Sequence, residues 1–491
     1  MLLGQLLHSL EYIVLQGSTG IEINGISDHS AKVKPGDLFV CIKGYHTDSH
    51  HYLPEIFAGG ASCIVVERLS DQLETLMERY TNTAILLVKN TMKALALLAS
   101  AYYGDPAKRL TMIGITGTKG KTTTACMLNA ILCQAGIKSG MIGTLGAWYE
   151  EELETPVTTT PDALTLHRLL AEMERRGCTH VVLEVSSQSL MCRRVYGIPF
   201  KLAVFTNLSP DHIGEGEHSS LEEYRYWKST LFAHAEISVI NRDADGAGMM
   251  AGMALGQVIY YEYSNIDQRE ARQSEVEVIT RKSFGQPEWK AIAQQISLPG
   301  SYNRENALAA MTAADALGIP AVAYTALETL QIPGRSELLS GDGYQVIIDY
   351  AHNESSMENL LRTLREMNPK RLICIYGSGG NRSILRRQGM GRVGGLMADL
   401  SVLTEDNSRT EPLKQILEGL VAGVQSVQGK YMVIPDRKEA IHRIIGSAED
   451  GDLIAIIGKG HETYQEIGTE RVYFNDKEEA CLAMKRRGAA V

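Results

Sequence analysis

The sequence predicts an α/β fold of three domains, and three observations carry the prediction. At 491 residues the chain is too long for one hydrophobic core, and such a length divides into about three domains. From residue 107 onward, apolar runs of strand length alternate with segments of helical spacing, as in parallel sheets covered by helices on both faces. One strand-to-helix junction, residues 113–124, carries glycine and lysine as phosphate-holding loops do. The expected architecture is a small N-terminal α/β domain (1–90), a central P-loop domain with a mostly parallel sheet (91–334) and a C-terminal Rossmann-like α/β domain (335–491).

The N-terminal stretch MLLGQLLHSLEYIV lacks a basic leader and a small-residue cleavage site, so it reads as an amphipathic first helix rather than a signal peptide. Short β-like runs follow at 37–42 and 62–66, the first entered through a Lys34-Pro35-Gly36-Asp37 turn. Residues 91–104 have helical spacing and stop at Gly104, with Pro106 beyond. Strands are expected at 111–116, 180–185 and 202–207. Pro333-Gly334-Arg335 breaks the chain, and further buried strands are expected at 344–350, 371–376, 400–404 and 453–457.

Composition excludes several classes. Hydrophobic content of 44% and charge content of 22% are those of a soluble globular protein. A net charge of −10 and a pI near 5.8 argue against a nucleic-acid surface as the main function. No apolar run approaches the roughly 18 residues that span a bilayer, so membrane insertion is not expected. The eight cysteines are scattered without a C-x-x-C pair and read as reduced core residues of a cytoplasmic protein.

The loop itself reads Gly117-Thr118-Lys119-Gly120-Lys121-Thr122-Thr123. Glycines let backbone N–H groups close around phosphate oxygens, and the following helix adds its positive end. Lys121 would reach the outer phosphates, and the Thr122 hydroxyl would hold Mg²⁺. Other strand ends carry polar groups where parallel sheets bind ligands. Glu184 ends one strand and can ligate Mg²⁺ or be an ordinary solvated acid. Asp211 and His212 follow another. Lys228 falls on or beside the buried face of a helical segment, where a free ammonium is costly, and periodicity alone favours a lysine snorkelling to solvent over a functional one. In the last domain Asp349, the loop 377–382, Asp406–Arg409 and Gly458–Glu462 repeat the scheme. Arg382, Arg386, Arg387 and Arg392 could bind acidic groups, or the last three could be a solvated helix face.

These motifs resemble the Mur ligase family over essentially the whole chain, and within it the tripeptide-forming branch of peptidoglycan assembly. The resemblance rests on 117–123, Thr159-Thr160-Pro161, Glu184-Val185-Ser186-Ser187, 206–212, Tyr302-Asn303-Arg304-Glu305-Asn306, 333–335, 349–352 and 458–462. It implies an ATP-dependent amide-bond ligase. ATP would phosphorylate the carboxylate of a UDP-linked muramoyl dipeptide, and an amino acid's amine would displace phosphate from the acyl phosphate.

Residue roles follow from the resemblance. Catalysis falls to Lys121, Glu184, His212 and Lys228. Two Mg²⁺ ions would be held by Thr122, Glu184, His212 and Lys228, the lysine as a CO₂-derived carbamate. ATP would lie on Gly117, Thr118, Lys119, Gly120, Lys121, Thr122 and Thr123, with Asn303, Asn306, Arg335 and Asp349. The UDP-muramoyl peptide would contact Ser27, Asp28, Thr159, Thr160, Ser186 and Arg194. The amino acid would contact Arg382, Asp406, Asn407, Arg409, Gly458 and Glu462. Meso-diaminopimelate is favoured over L-lysine, because Arg409 keeps a fork for a second carboxylate although the family's proline before it is Ser408. The uridine segment also departs, with Asp28-His29-Ser30 where the family has Asp-Ser-Arg, and the span from His212 to Lys228 is about two residues longer than in many members. A monomer is expected.

Folylpolyglutamate synthetase is a rival with the same loop, and residues 27–44 and 406–409 count against it. A non-catalytic ATP-binding scaffold is a rival of another class, and the intact Lys121, Thr122, Glu184, His212 and Lys228 count against that.

Overall fold

Strands buried on both faces need helices above and below, and each of three sheets in the computed structural model meets that need. The structure describes residues 1–44, 47–155, 158–211, 213–214, 217–263 and 295–488. They divide into two units, one of Met1–Ala293 with Glu305–Ala326, the other of Gln294–Arg304 with Leu327–Val491.

The first unit holds two sheets. The smaller runs Ile13–Gln16, Ala84–Leu87, Cys63–Val66, Leu38–Val40, Ile26–Ser27, parallel except at its first pair. Because side chains alternate along a strand, Leu38, Val40, Cys63 and Val65 fill one core while Phe39, Ile64 and Val66 fill another. The expected turn is present, with Asp37 N donating to the Lys34 carbonyl at 3.1 Å. The first helix is shorter than expected. It covers only Leu3–Leu6, and Ile13 and Val14 join the edge strand, where β-branched side chains suit the pleat. The helix Thr91–Tyr102 is capped by Asn90, whose Oδ1 accepts from Lys93 N at 2.8 Å.

The larger sheet runs Gln257–Tyr261, Ala235–Asn241, Phe200–Phe205, Thr111–Thr116, His180–Glu184, Ser139–Gly143, Gly146–Tyr149, Glu151–Glu154. The first six strands are parallel, and the last two form an antiparallel edge that the sequence pattern did not announce. From Thr111–Thr116 the chain moves to one side of the sheet, and it later returns on the other through Phe200–Phe205. Such a switch point opens a crevice at the carboxyl ends of the strands.

The second unit has one six-stranded sheet, ordered Glu337–Ser340, Gln345–Asp349, Asp452–Ile457, Arg371–Tyr376, Leu400–Leu403, Tyr431–Val433. All but the first pair are parallel. A separate hairpin, Tyr464–Ile467 with Glu470–Tyr473, follows the last central strand. Among the described residues no helix is long and apolar enough to cross a membrane.

Candidate active site

In the first unit the loop after Thr111–Thr116 leads into the helix Lys121–Gln134. Two of its glycines are required by space and backbone. A Cβ on Gly117 would lie 1.9 Å from Thr206 Oγ1, and one on Gly120 would lie 2.3 Å from Asn306 Oδ1, with φ at +83°. The neighbouring strand end braces the loop. Asn207 Oδ1 accepts from Lys119 N at 2.9 Å, its amide donates to the Lys119 carbonyl at 3.2 Å, and Thr206 Oγ1 donates to that carbonyl at 2.7 Å. Lys121 Nζ folds back over the loop to the carbonyls of Gly117 (2.9 Å) and Thr118 (3.1 Å). Lys119 pairs with Asp211 at 3.2 Å.

Glu184 is fully buried at its strand end and gathers three donors. Thr122 Oγ1 donates at 2.9 Å, Thr144 N at 2.8 Å and Thr144 Oγ1 at 3.2 Å. Its expected neighbour Thr122 is therefore in place, while Thr144 went unnoticed in the sequence. The signal for it was a Gly143-Thr144 step closing a strand, and Gly143 is needed because a Cβ there would meet Glu184 Oε1 at 2.1 Å. Thr122 and Glu184 supply hard oxygen donors, which suit Mg²⁺ bound jointly with phosphate oxygens. No group of three or more His, Cys, Asp or Glu side chains able to hold a metal occurs among the described residues. His212, expected in this set, lies outside the described residues.

Lys228 lies on the buried face of the helix Leu221–Ser229, and its side chain is buried rather than snorkelling to solvent as its periodicity alone favoured. Its Nζ donates to the Gly117 carbonyl at 2.8 Å and lies 4.5 Å from the Tyr224 ring. Burial, and next the charge of Lys121, push its ammonium well below the usual lysine range. Tyr224 in turn reaches Thr118 Oγ1 at 3.0 Å.

Lys121, Thr158, Thr159, Thr160, Ser186, Arg194, His218 and Lys228 line one cavity of about 130 Å³. Thr160 Oγ1 donates to the Glu184 carbonyl at 2.8 Å and accepts from Ser186 N at 3.1 Å. Thr159 Oγ1 lies 3.2 Å from Thr144 Oγ1 and can donate to it while Thr144 donates to Glu184. Arg194 donates to the Thr160 carbonyl at 2.7 Å. The structure thus brings together Lys121, Thr159, Thr160, Ser186, Arg194 and Lys228 as expected. It adds His218, whose Nε2 is 2.9 Å from Ser187 Oγ and which the sequence offered only as part of a spacer. Ser27 is turned to its own backbone, donating to the His29 carbonyl at 3.2 Å. Asp28 is raised by burial and by the charge of Asp162, the cap of the helix Ala163–Arg175.

Asn303, Arg335 and Asp349 fall in the second unit, and Asn306 in the first. Asp349 Oδ2 accepts from Ser336 N at 2.7 Å and Oδ1 from Ala351 N at 2.8 Å. Burial raises its carboxyl, against the charge of Arg335. Arg335 stacks over Tyr350 at 4.8 Å. Asn303 donates to the Pro299 carbonyl at 2.7 Å.

The amino-acid set clusters at the carboxyl ends of the second sheet. Asn407 Nδ2 donates to Glu462 Oε2 at 3.0 Å. Arg409 Nε donates to Glu466 Oε2 at 3.0 Å, and NH1 to the Gly380 carbonyl at 3.3 Å. A Cβ on Gly458 would lie 2.5 Å from Asp406 Oδ2. Arg382 is exposed. The other arginines bind within the protein rather than forming an anion cradle, and of these only Arg392 keeps an exposed side chain. Arg387 is buried in a two-bond pair with Glu411, Arg392 pairs with Glu354, and Arg386 donates to the His352 carbonyl. Each has an acid or carbonyl one helix away, which residue spacing does not reveal.

Comparison with known proteins places the chain in a family. A 2,6-diaminopimelate ligase of UDP-N-acetylmuramoyl-L-alanyl-D-glutamate from Clostridium botulinum is 39% identical, over 97% of this chain and 98% of its own. The chain belongs to the Mur ligase family. Residues 22–103 match the Mur ligase family catalytic domain, 115–314 the Mur ligase middle domain, and 334–460 the Mur ligase glutamate ligase domain. This Mur ligase therefore has three α/β domains. The namesake from Geobacillus kaustophilus is 36% identical, over 95% of this chain and 96% of its own. Among solved structures, one titled as the same diaminopimelate ligase superposes with a TM-score of 0.65 at 26% identity, covering 99% of both chains. MurF from Acinetobacter baumannii shares the fold, with a TM-score of 0.59 at 20% identity and 98% of both chains covered.

Proposed function

We propose that this Mur ligase joins meso-diaminopimelate to UDP-N-acetylmuramoyl-L-alanyl-D-glutamate at the expense of ATP. The observation that carries the proposal is the chain-long likeness to relatives named for that reaction, supported by Asn407, Arg409 and Glu462 gathered at one sheet end. The nucleotide's phosphates are assigned to the loop 117–123, where Lys121 would neutralise charge as the γ-phosphoryl group moves to the peptide's carboxylate. Thr122, Glu184, His212 and Lys228 would hold Mg²⁺, which supplies charge neutralisation at the phosphoryl oxygens when bound. Thr159, Thr160, Ser186 and Arg194 would orient the muramoyl peptide at the cavity beside Lys121.

Lys228 is suited to carbamate formation. Its depressed ammonium favours the neutral amine; the nitrogen attacks CO₂, an N–C bond forms as one C=O π pair moves onto oxygen, and the nitrogen's proton passes to water. The product is an anion that a cation can pair, which removes the cost of a lone buried charge. A cytoplasmic site of action fits the nucleotide-linked substrate.

The test is phosphate release with ATP and UDP-muramoyl dipeptide across meso-diaminopimelate, L-lysine and L-ornithine. Release fastest with diaminopimelate is expected, and preference for either of the others would replace the assignment. Arg409→Ala should raise KM for diaminopimelate selectively, by about 30-fold or more for a lost charge-assisted fork. An unchanged KM would point to a different amino acid.

A further inference from the structure

Lys459 is fully buried, and no step of the proposed reaction uses it. It lies between two glycines that pin its backbone. Gly458 has φ at +112°, and Gly460 has φ at +55° with its would-be Cβ 2.8 Å from Tyr350 Cβ. Arg437 ties the two loops together from beneath, donating to the carbonyls of Ile457 (2.9 Å) and Glu405 (3.4 Å).

An ammonium can only donate. Lys459 Nζ gives hydrogen bonds to Asn407 Oδ1 at 3.0 Å and Glu462 Oε2 at 2.8 Å. Asn407 Oδ1 also accepts from Glu466 N at 3.0 Å. Two obligate donors on one oxygen fix which way the amide faces. Its NH₂ must then point to Glu462, and Nδ2 does so at 3.0 Å. One N–H of Asn407 is committed there, and no described residue takes the other. Glu462 Oε2 is filled by Lys459 and Asn407, while among the described residues Oε1 meets only the Tyr350 hydroxyl, at 3.3 Å.

We propose that Lys459 is a positioning residue of the amino-acid site, setting Asn407 to donate and Glu462 to accept. The pair then presents one N–H to a carboxylate and one carboxylate oxygen to an ammonium, the two ends of an amino-acid head group. This rests on the assignment of amino-acid binding to the second unit. Buried networks of this kind specify geometry because a reversed amide would leave an oxygen facing a carboxylate.

Steady-state kinetics of the full chain with ATP, UDP-muramoyl dipeptide and meso-diaminopimelate test the proposal, using Lys459→Met, Glu462→Gln and the double variant. Lys459→Met is expected to raise KM for the amino acid about 30-fold, with KM for the other two substrates within about twofold. The double variant is expected within about threefold of the worse single, because both act through one group. A uniform change in all three KM values, or multiplied effects in the double, would overturn the proposal. Should Lys459→Met fail to fold, the double is compared with Glu462→Gln alone, and a further loss beyond threefold overturns it. A wild-type chain that ligates none of the amino acids defeats the functional assignment and this proposal together. Ligation by wild type with an unmoved KM in Lys459→Met defeats this proposal alone.

Discussion

Among the described residues two lysines lie buried, one in each unit, and their surroundings differ. Lys459 is satisfied by a carboxylate and an amide oxygen, so its charge is compensated where it stands. Lys228 has a backbone carbonyl and an aromatic face, with no ion pair among the described residues, and Lys121 repels it. A compensated cation fixes the groups around it. An uncompensated one is driven towards the neutral amine, which is a nucleophile. Burial alone therefore does not assign a role to a lysine; the partner decides whether it organises or reacts.

The largest expected effect separates the two in activity. Lys228→Ala should lower kcat by about 10³-fold, the scale of losing a group that organises charge stabilisation in the reaction, and added bicarbonate should not restore it. Near-full activity would break the contrast by removing Lys228 from the chemistry. The second effect is on stability. Lys459→Met strands the Glu462 carboxylate and should cost about 3–5 kcal/mol in denaturant unfolding. Lys228→Met removes a lone amine, leaves the Gly117 carbonyl with Lys121, and should be neutral or up to about 2 kcal/mol stabilising. Equal losses would show that the two sites are alike.

A pH series sharpens the same point. The folded Lys228 ammonium is depressed below its unfolded value of about 10.4, so the unfolded chain holds the extra proton between the two values. Stability from this group is lowest at pH below the depressed value and rises as pH climbs towards about 10.4, by up to about 1.4 kcal/mol per unit. The wild-type slope between pH 8 and 10 should flatten in Lys228→Met, and parallel slopes would contradict the shift. The smallest effect belongs to an exposed lysine. Lys414, 3.9 Å from Glu418 on a helix surface, should tolerate Ala within about 0.5 kcal/mol.

Much of the site was legible before any coordinates, and unevenly so. The phosphate loop was plain because a strand, two glycines and a helix start are local in sequence. Glu184 and Thr122 were joined in one set by the family resemblance, because a strand-end acid by itself reads equally as a Mg²⁺ ligand or a solvated carboxylate. Thr144 and His218 were not, since what makes them important is a hydrogen bond to Glu184 or Ser187 across the fold. Arg386, Arg387 and Arg392 read equally as an anion cradle or a solvated helix face until their partners were known. The first helix was overestimated because the apolar spacing of residues 1–14 also serves a short helix followed by an edge strand.

The sequence by itself determined the alternation of strand and helix, the place of the glycine- and lysine-bearing loop 117–123 and the residue types at each strand end. Hydrophobic periodicity and glycine placement act over a few residues, so they survive without a fold. Only the tertiary structure decided which polar groups share a carboxylate, which glycines cannot bear a Cβ, and which of two buried lysines is compensated. Those outcomes depend on atoms brought within about 3 Å from segments tens to hundreds of residues apart, where a hydrogen bond or its absence sets the charge a buried group can carry.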